Sequence, residues 1–425
     1  MNPIVSSFLI VILVAIGSPT HAEDIGCGEY VYLEGDEILI EPTNQDDTTN
    51  IQCAFDSAVR DGVKVVSLRS GDFLTSNDIE VANFFGTFQG VSKAATRVRV
   101  SGRNITFRAG QQTIRYMTLE GENSTNADIL EFTTSEDCEN LTVRPTIDRV
   151  DFRASDEEAD LAKNAVAIRI NPHYSCSGDL DKILGTFTVN RSTFKGALRA
   201  FEAYRIGGGA KIFITDNEID TNFGIVIYPK TASIFVTGNQ INVRHETAGV
   251  LYVLGGDYEL KDVSLYLSGN RLSKSYDLPK LREGQSYKRY GFVALGKNRA
   301  PYPDDQYSFK ATISGNTFLI DEPKLGDRPP PGGSTSGYAD VEIEYIDDGF
   351  IGGNRFVGCD YQVGAGVVAF SGNSADGWSI NSNNFPCTSS GTSYSIRWEG
   401  DNNLIGSHDA YIQLYGEGNI NANDE

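Results

Sequence analysis

Two glutamates, Glu342 and Glu344, stand two positions apart in the run ADVEIEYI (339 to 346), between the apolar Val341, Ile343 and Tyr345. If that run is a strand, the apolar set faces a core and both carboxylates face out, with Cα atoms ~6.6 Å apart. Paired carboxylates suit glycosidic hydrolysis, which needs two carboxyl groups roughly 5 to 9.5 Å apart. Upstream, Lys288, Arg289, Lys297 and Arg299 offer a base or cations for a second chemistry, β-elimination. There a proton beside a uronate carboxylate is removed and the developing charge is stabilised. Tyr287, Tyr290 and Tyr302 supply flat faces for sugar rings, and Asp304 and Asp305 supply oxygen ligands of the kind Ca²⁺ takes. The same alternation turns Arg169, Asn171, Arg397, Glu399, Tyr411, Gln413 and Tyr415 outward on their own runs, whereas the phase around Glu202, Tyr252 and Val293 stays open.

Outward glutamates also occur as solvated decoration, so the chemistry depends on what surrounds them. Here two long insertions, 273 to 289 and 321 to 337, flank the Glu342 strand, and the first is locally basic. Long loops of this kind are as a rule either functional or disordered, and the bland reading of the first is a solvated insertion. Other arrangements are weaker. Ser407-His408-Asp409 is adjacency in sequence, whereas a triad is assembled in space. Gly207-Gly208-Gly209 lacks the spacing of a phosphate-binding loop and reads as a turn. His173 and His245 read as surface loop residues.

The chain has 425 residues, 40% of them hydrophobic, with 57 acidic against 36 basic side chains and a net charge of -21. That much apolar material builds a core, and the negative balance excludes a general binder of nucleic acid or anionic membranes. An apolar run, Phe8 to Ile16, followed by Thr20-His21-Ala22, reads as a secretory signal cleaved after Ala22, and the run is too short to span a membrane. The expected destination is the periplasm or the exterior. All six cysteines lie beyond that point, and an even number in an exported chain favours disulfides. Neighbours in sequence are the simplest pairing: Cys27 with Cys53, Cys138 with Cys176, Cys359 with Cys387. No CxxC is present, which argues against zinc.

What must position these groups is a repeat. An apolar strand, a polar doublet, Asn, one residue and another apolar position recur in IFITDNEI (212 to 219), IFVTGNQI (234 to 241), LYLSGNRL (265 to 272), ATISGNTF (311 to 318), GFIGGNRF (349 to 356) and WSINSNNF (378 to 385). The asparagines are Asn217, Asn239, Asn270, Asn316, Asn354 and Asn383, spaced 22, 31, 46, 38 and 29 residues apart. A floor near 22 residues with variable additions marks a solenoid whose coils hold three short strands and let one loop grow. Asn is expected at the tight corner, where it tolerates left-handed backbone geometry and forms an amide ladder. Ile51, Phe55, Ala58 and Val59 fall on one helical face able to close the end of the stack. SDEEADLAKNA (155 to 165) reads as one short exposed helix.

With these motifs and the entry region 46 to 98, the sequence resembles the right-handed parallel β-helix proteins of the pectate lyase-like superfamily over roughly residues 45 to 420. The resemblance implies an all-β solenoid with an N-terminal capping helix: a lead-in at 23 to 45, the β-helix at 46 to 420 and a frayed tail at 421 to 425. It also implies a substrate groove over the sheet that follows the variable loops, and a polysaccharide or glycan as partner. Asp347-Asp348 resembles the paired aspartates of polygalacturonase-type hydrolases, but that subfamily's Asn-Thr-Asp, Gly-His-Gly and Arg-Ile-Lys partners are absent. The expected function is cleavage of a polysaccharide near residues 285 to 345 by a monomer. The alternative is a non-catalytic glycan-binding or structural, spike-like surface module, whose spike-like form would admit a trimer.

Overall fold

The computed structural model describes residues 23–101, 104–121, 128–138, 142–154, 165–176, 185–244, 249–255, 260–274, 292–296, 308–320, 339–344, 346, 348–357, 367–373, 375–384, 394–406 and 411–422. The expected signal, 155 to 164 of the expected helix, His245, His408, 275 to 289 of the first long insertion and the whole of the second lie outside them; Ala165 opens the strand Ala165–Ile170, and Ser273 and Lys274 end the strand Arg271–Lys274.

Short strands rich in β-branched and aromatic residues alternate with tight corners, and each strand of the coils pairs in parallel with its counterpart one coil on. Among the described residues, one sheet of 16 strands forms the first face. A second hydrogen-bonded set, of 20 strands among the described residues, wraps two further faces, because Thr193–Ile206 and Glu218–Pro229 run unbroken around the corner between them. The chain is a right-handed parallel β-helix with three faces per coil. At the corner of the first long strand, Gly196 has φ +104, and a Cβ there would lie 2.2 Å from the Ala154 carbonyl oxygen, so no other residue fits.

The recurring asparagines stack as expected. From Asn217 to Asn354, each backbone N–H and each Nδ2 donates to Oδ1 of the next asparagine at 2.9 to 3.1 Å. Each Nδ2 also donates to a strand carbonyl of the preceding coil, as Asn239 does to Ile214 O at 2.8 Å. The left-handed residue is not the asparagine. It is the residue before it: Asp216, Gly238, Gly269, Gly315, Gly353 and Ser382, with φ from 54° to 68°. That turn drives the asparagine side chain inward, where its amide is buried and fully bonded.

The helix Thr48–Asp61 closes the N-terminal end, ended by Gly62 in left-handed geometry. Ile51, Ala54, Phe55 and Ala58 face the stack, and Phe55 meets Phe84, Phe88 and Phe107 edge-on at 5.0 to 5.6 Å. Val59, expected on that face, is 42% exposed. It lies at the margin of the apolar arc, and Ala54 fills the inner position. The strands Glu23–Asp24, Val31–Glu34 and Glu37–Ile40 form an antiparallel lead-in whose last member joins the first sheet, and the Cys27–Cys53 disulfide ties it to the helix. Cys138–Cys176 forms as well. Cys359 and Cys387 lie outside the described residues. Toward the other end, Trp378 and Trp398 are buried and donate their indole N–H groups to Ile346 O and Ala375 O. Among the described residues no helix is long and apolar enough to cross a membrane.

At the helix start, burial pushes the Asp46 carboxyl upward, but hydrogen bonds from Ser76 and Thr48 outweigh it and hold the group at about 2 instead of 3.8. The folded value is below the unfolded one, so this contribution is present above pH 3.8 and is lost as pH falls through about 2. Asp46→Asn is expected to remove that part of acid unfolding, followed by the fluorescence of the two buried tryptophans. Superimposable acid melts for both proteins contradict it.

Candidate functional site

The third face carries the strands that follow the variable loops, and its register sets one outward row across the coils. The row begins at Glu80 and passes through Thr106, Glu131, Arg169 and Glu202. It continues through Val226, Tyr252 and Ala294, whose strand position pairs with that of Glu342. By backbone register alone, the strand positions of Ser371, Arg397 and Gln413 follow in turn. The residues on either side of these positions, such as Leu130 and Phe132, Ile168 and Ile170, or Val341 and Ile343, are core. The open phases at Glu202 and Tyr252 are thereby resolved as outward. The strand Val367–Asn373, which the sequence reading did not include, joins this face between those of Glu342 and Arg397.

The charged groups concentrate at the Glu131–Arg169–Glu202 steps. Glu202 is 0% exposed although it points away from the core, because Arg199, Arg169 and Tyr204 enclose it. Its Oε1 accepts from Arg199 Nη1 and from the Tyr204 hydroxyl, and its Oε2 lies 3.2 Å from Arg169 Nη2. Arg169 also places Nε 2.7 Å from Asp128 Oδ2, so one guanidinium bridges two buried carboxylates. Glu131, half-buried, accepts from Asn104 Nδ2 at 3.1 Å and Thr106 Oγ1 at 3.5 Å. The Arg199 guanidinium lies over the Phe223 ring at 4.9 Å, and the Tyr204 and Tyr228 rings stack at 4.9 Å.

Three carboxylates face two guanidiniums here, and the low-dielectric setting makes the third negative charge costly. Burial pushes Asp128 up to about 7 against the opposing pull of Arg169, and the charges of Glu131 and Glu202 push it the same way. Burial and its bond to Glu202 raise Tyr204, which keeps its proton. The cluster thus offers a carboxyl group that holds a proton near neutrality, half-exposed guanidiniums and stacked phenol rings. These are the parts of acid–base catalysis on a sugar.

A second polar group borders it. Arg108 pairs with Glu80 at 3.0 Å and with Glu136, and His173 Nδ1 hydrogen-bonds Ser175 Oγ at 2.7 Å beside the Cys138–Cys176 bridge. His173, expected at the surface, is buried, and burial with the nearby Arg108 lowers its pKa.

No protein-family model matches the sequence, and no curated protein matches it. Solved structures do. The A-module of the Azotobacter vinelandii mannuronan C-5 epimerase AlgE6 is 14% identical, with a TM-score of 0.49, over 88% of this chain and 95% of that one. The Dettilon tailspike protein is 12% identical, with a TM-score of 0.43, over 88% and 68%. The Streptococcus pneumoniae surface adhesin PfbA is 11% identical, with a TM-score of 0.41, over 87% and 91%.

Of the residues singled out by sequence, Arg169 belongs to the charged cluster. The backbones of Glu342 and Arg397 share its row several coils away. Glu344 is half-buried and its strand position pairs with Asn373; Glu399 is exposed and pairs with Tyr415. Lys288, Arg289, Tyr287, Tyr290, Lys297, Arg299, Tyr302, Asp304 and Asp305 lie outside the described residues. Among the described residues, no group of three or more His, Cys, Asp or Glu side chains is placed to hold a metal. Asp128, Glu131, Arg199 and Tyr204 went unnoticed in the sequence, although the alternation in DILEF (128 to 132) already turns Glu131 outward.

Proposed function

We propose that the protein is an exported carbohydrate-active β-helix that seats a polysaccharide along the third face and hydrolyses it, with Asp128 as proton donor and Glu131 as the paired carboxylate. The observation that carries this reading is the Asp128 carboxyl group, held at about 7 just ahead of the strand Leu130–Thr133, against Arg169 of the outward row and beside two further carboxylates. Asp128 gives its proton to the glycosidic oxygen as the bond breaks. The charge left on it falls 2.7 Å from Arg169 Nε, which stabilises it at the moment it forms. Glu131 attacks the anomeric carbon or activates a water there, depending on the separation that the bound sugar finds. Glu202 holds both guanidiniums in place, and the Tyr204 and Tyr228 rings pack on the sugar.

The rest of the row extends the trough. Glu342, Glu344, Arg397 and Glu399 are assigned to more distant sugar positions along the same strands. Lys288, Arg289, Tyr287, Tyr290, Lys297, Arg299 and Tyr302 are assigned to its wall, with Asp304 and Asp305 as ligands if Ca²⁺ is required. The two disulfides favour an oxidising compartment, which supports export.

The half-exposed Arg169 and Arg199 favour a second reading, β-elimination on a uronate polymer, in which both guanidiniums neutralise the sugar carboxylate. Incubation with neutral and uronate polysaccharides, with and without Ca²⁺, separates the two. New reducing ends without unsaturated-uronate absorbance are expected. Absorbance rising with the reducing ends replaces hydrolysis by elimination. Silence on every polymer, together with retained binding, overturns catalysis in favour of a binding module.

A further inference from the structure

The outward side of the first sheet carries a surface that the charged trough does not use. Its strands Ala210–Thr215, Ala232–Thr237, Val263–Ser268, Phe309–Ser314, Gly349–Gly352 and Trp378–Asn381 are in continuous register. Down the centre run Phe213, Phe235, Tyr266, Thr312, Phe350 and Ser379. The first three rings stack face to face at 4.8 and 5.0 Å, within 9° of parallel. Stacking along the column leaves ring edges facing solvent, with Tyr266 43% and Phe350 36% exposed. Phe350 leans over Gly352, where an added Cβ would lie 2.2 Å from the ring.

The rows on either side decide what this strip suits. On one side stand Thr215, Thr237, Ser268 and Ser314; on the other, Ser233 and Ser264 between Lys211 and Lys310. Across these strands the three rows hold no carboxylate apart from Asp348, which Lys310 meets at 3.6 Å. On a chain of net charge -21, this is a nearly neutral belt of aromatic edges bordered by hydroxyls.

We infer that this belt is a second glycan-holding surface, which takes a neutral polysaccharide lying along the column. Sugar C–H groups meet the aromatic strip while sugar hydroxyls bond to the flanking serines and threonines. Two lysines give no field for a polyanion. A second copy of the chain is a poorer occupant. Five inter-strand steps by two side-chain rows give ~24 by ~13 Å, about 300 Å², well below the ~800 Å² per partner of a stable interface. The inference does not depend on catalysis at Asp128, because the belt lies on a different sheet.

The test is affinity electrophoresis of the intact protein in gels carrying a soluble β-glucan, a glucomannan, a dextran or polygalacturonate. At least one neutral polymer is expected to retard the protein. Tyr266→Ala and Phe350→Ala should each weaken that binding by about tenfold, leaving the melting temperature and any turnover of short oligosaccharides unchanged. Arg169→Ala should leave the retardation in place. The idea is overturned if only polygalacturonate retards the protein, if no polymer does, or if Arg169→Ala abolishes binding while Tyr266→Ala has no effect. It is equally overturned if sedimentation shows a dimer that Tyr266→Ala dissociates, since the occupant is then another copy.

Discussion

Asn270→Leu is expected to cost about 3 to 5 kcal/mol of unfolding free energy, since each buried polar group left unpaired costs roughly 1 to 3 kcal/mol. The substitution keeps volume and apolar character but removes an acceptor and two donors from the middle of the ladder. Asn239 loses its partner for both its backbone N–H, at 2.9 Å, and its Nδ2, at 3.0 Å. The Val236 carbonyl loses its donor at 2.8 Å, and Asn316 Oδ1 loses one of its two side-chain and backbone donors. None of these groups reaches water, because the asparagines of this corner are at most 8% exposed. Asn270→Asp is expected to be as harmful, since it keeps the acceptor but turns a carboxylate toward Asn316 Oδ1 and the Val236 carbonyl. Asn383→Leu should cost less, because Asn383 ends the run and is the most exposed member. Urea unfolding monitored through the two tryptophans measures all three. A loss below about 1 kcal/mol for Asn270→Leu, or equal losses at Asn270 and Asn383, refutes the account of the ladder as the internal hydrogen-bond spine.

That spine was legible because its constraint is local and recurs. A buried amide needs apolar residues on both sides, so Ile214 with Ile219 and Ile313 with Phe318 leave the same trace in every copy. Which residue adopts the left-handed turn was less legible. Asn tolerates that geometry in general, but here the preceding Asp216, Gly238 or Ser382 adopts it, so that the asparagine can point inward. The fold followed from the repeat, and the outward phase of Arg169 followed from plain alternation.

The cluster around Arg169 was harder to read for a geometric reason. The strand Thr193–Ile206 turns a corner, and its register shifts between Gly196 and Arg199 and again between Ala203 and Ile206. A period-two count across such shifts gives no reliable phase for Glu202. Asp128 precedes its strand and carries no motif. Its chemistry arises only when three coils bring Glu131, Arg169 and Glu202 beside it, partners that sequence distance hides. The tyrosine-rich insertions drew attention because composition is visible in a sequence, whereas burial and charge imbalance are properties of the stack.

Asp128→Asn is the substitution with the most informative consequences, because it separates the electrostatics of the cluster from its proposed use. The folded value of about 7 lies above the ordinary 3.8, so the native state retains a proton that the unfolded chain releases. The stability this brings is complete below pH 3.8 and is lost as pH rises through about 7. A displacement of that size corresponds to on the order of 4 kcal/mol. Asparagine is neutral throughout, so the variant should lack this decline, and its melting temperature should fall less than that of the native protein between about pH 5 and about pH 8, an interval that crosses the folded value of the group. The sign is opposite to that for Asp46, whose contribution disappears on acidification. A parallel decline in both proteins sinks the assignment of a stored proton, whatever the protein does. The second readout is turnover of whichever polysaccharide is cleaved. An asparagine amide cannot protonate a leaving glycosidic oxygen, so the rate should drop by about 10²- to 10⁴-fold, the usual worth of a positioned general acid. In the native protein, activity should fade as pH rises through about 7, where Asp128 gives up its proton. A flattened stability profile with undiminished turnover retains the charged cluster as structure but removes Asp128 from the reaction.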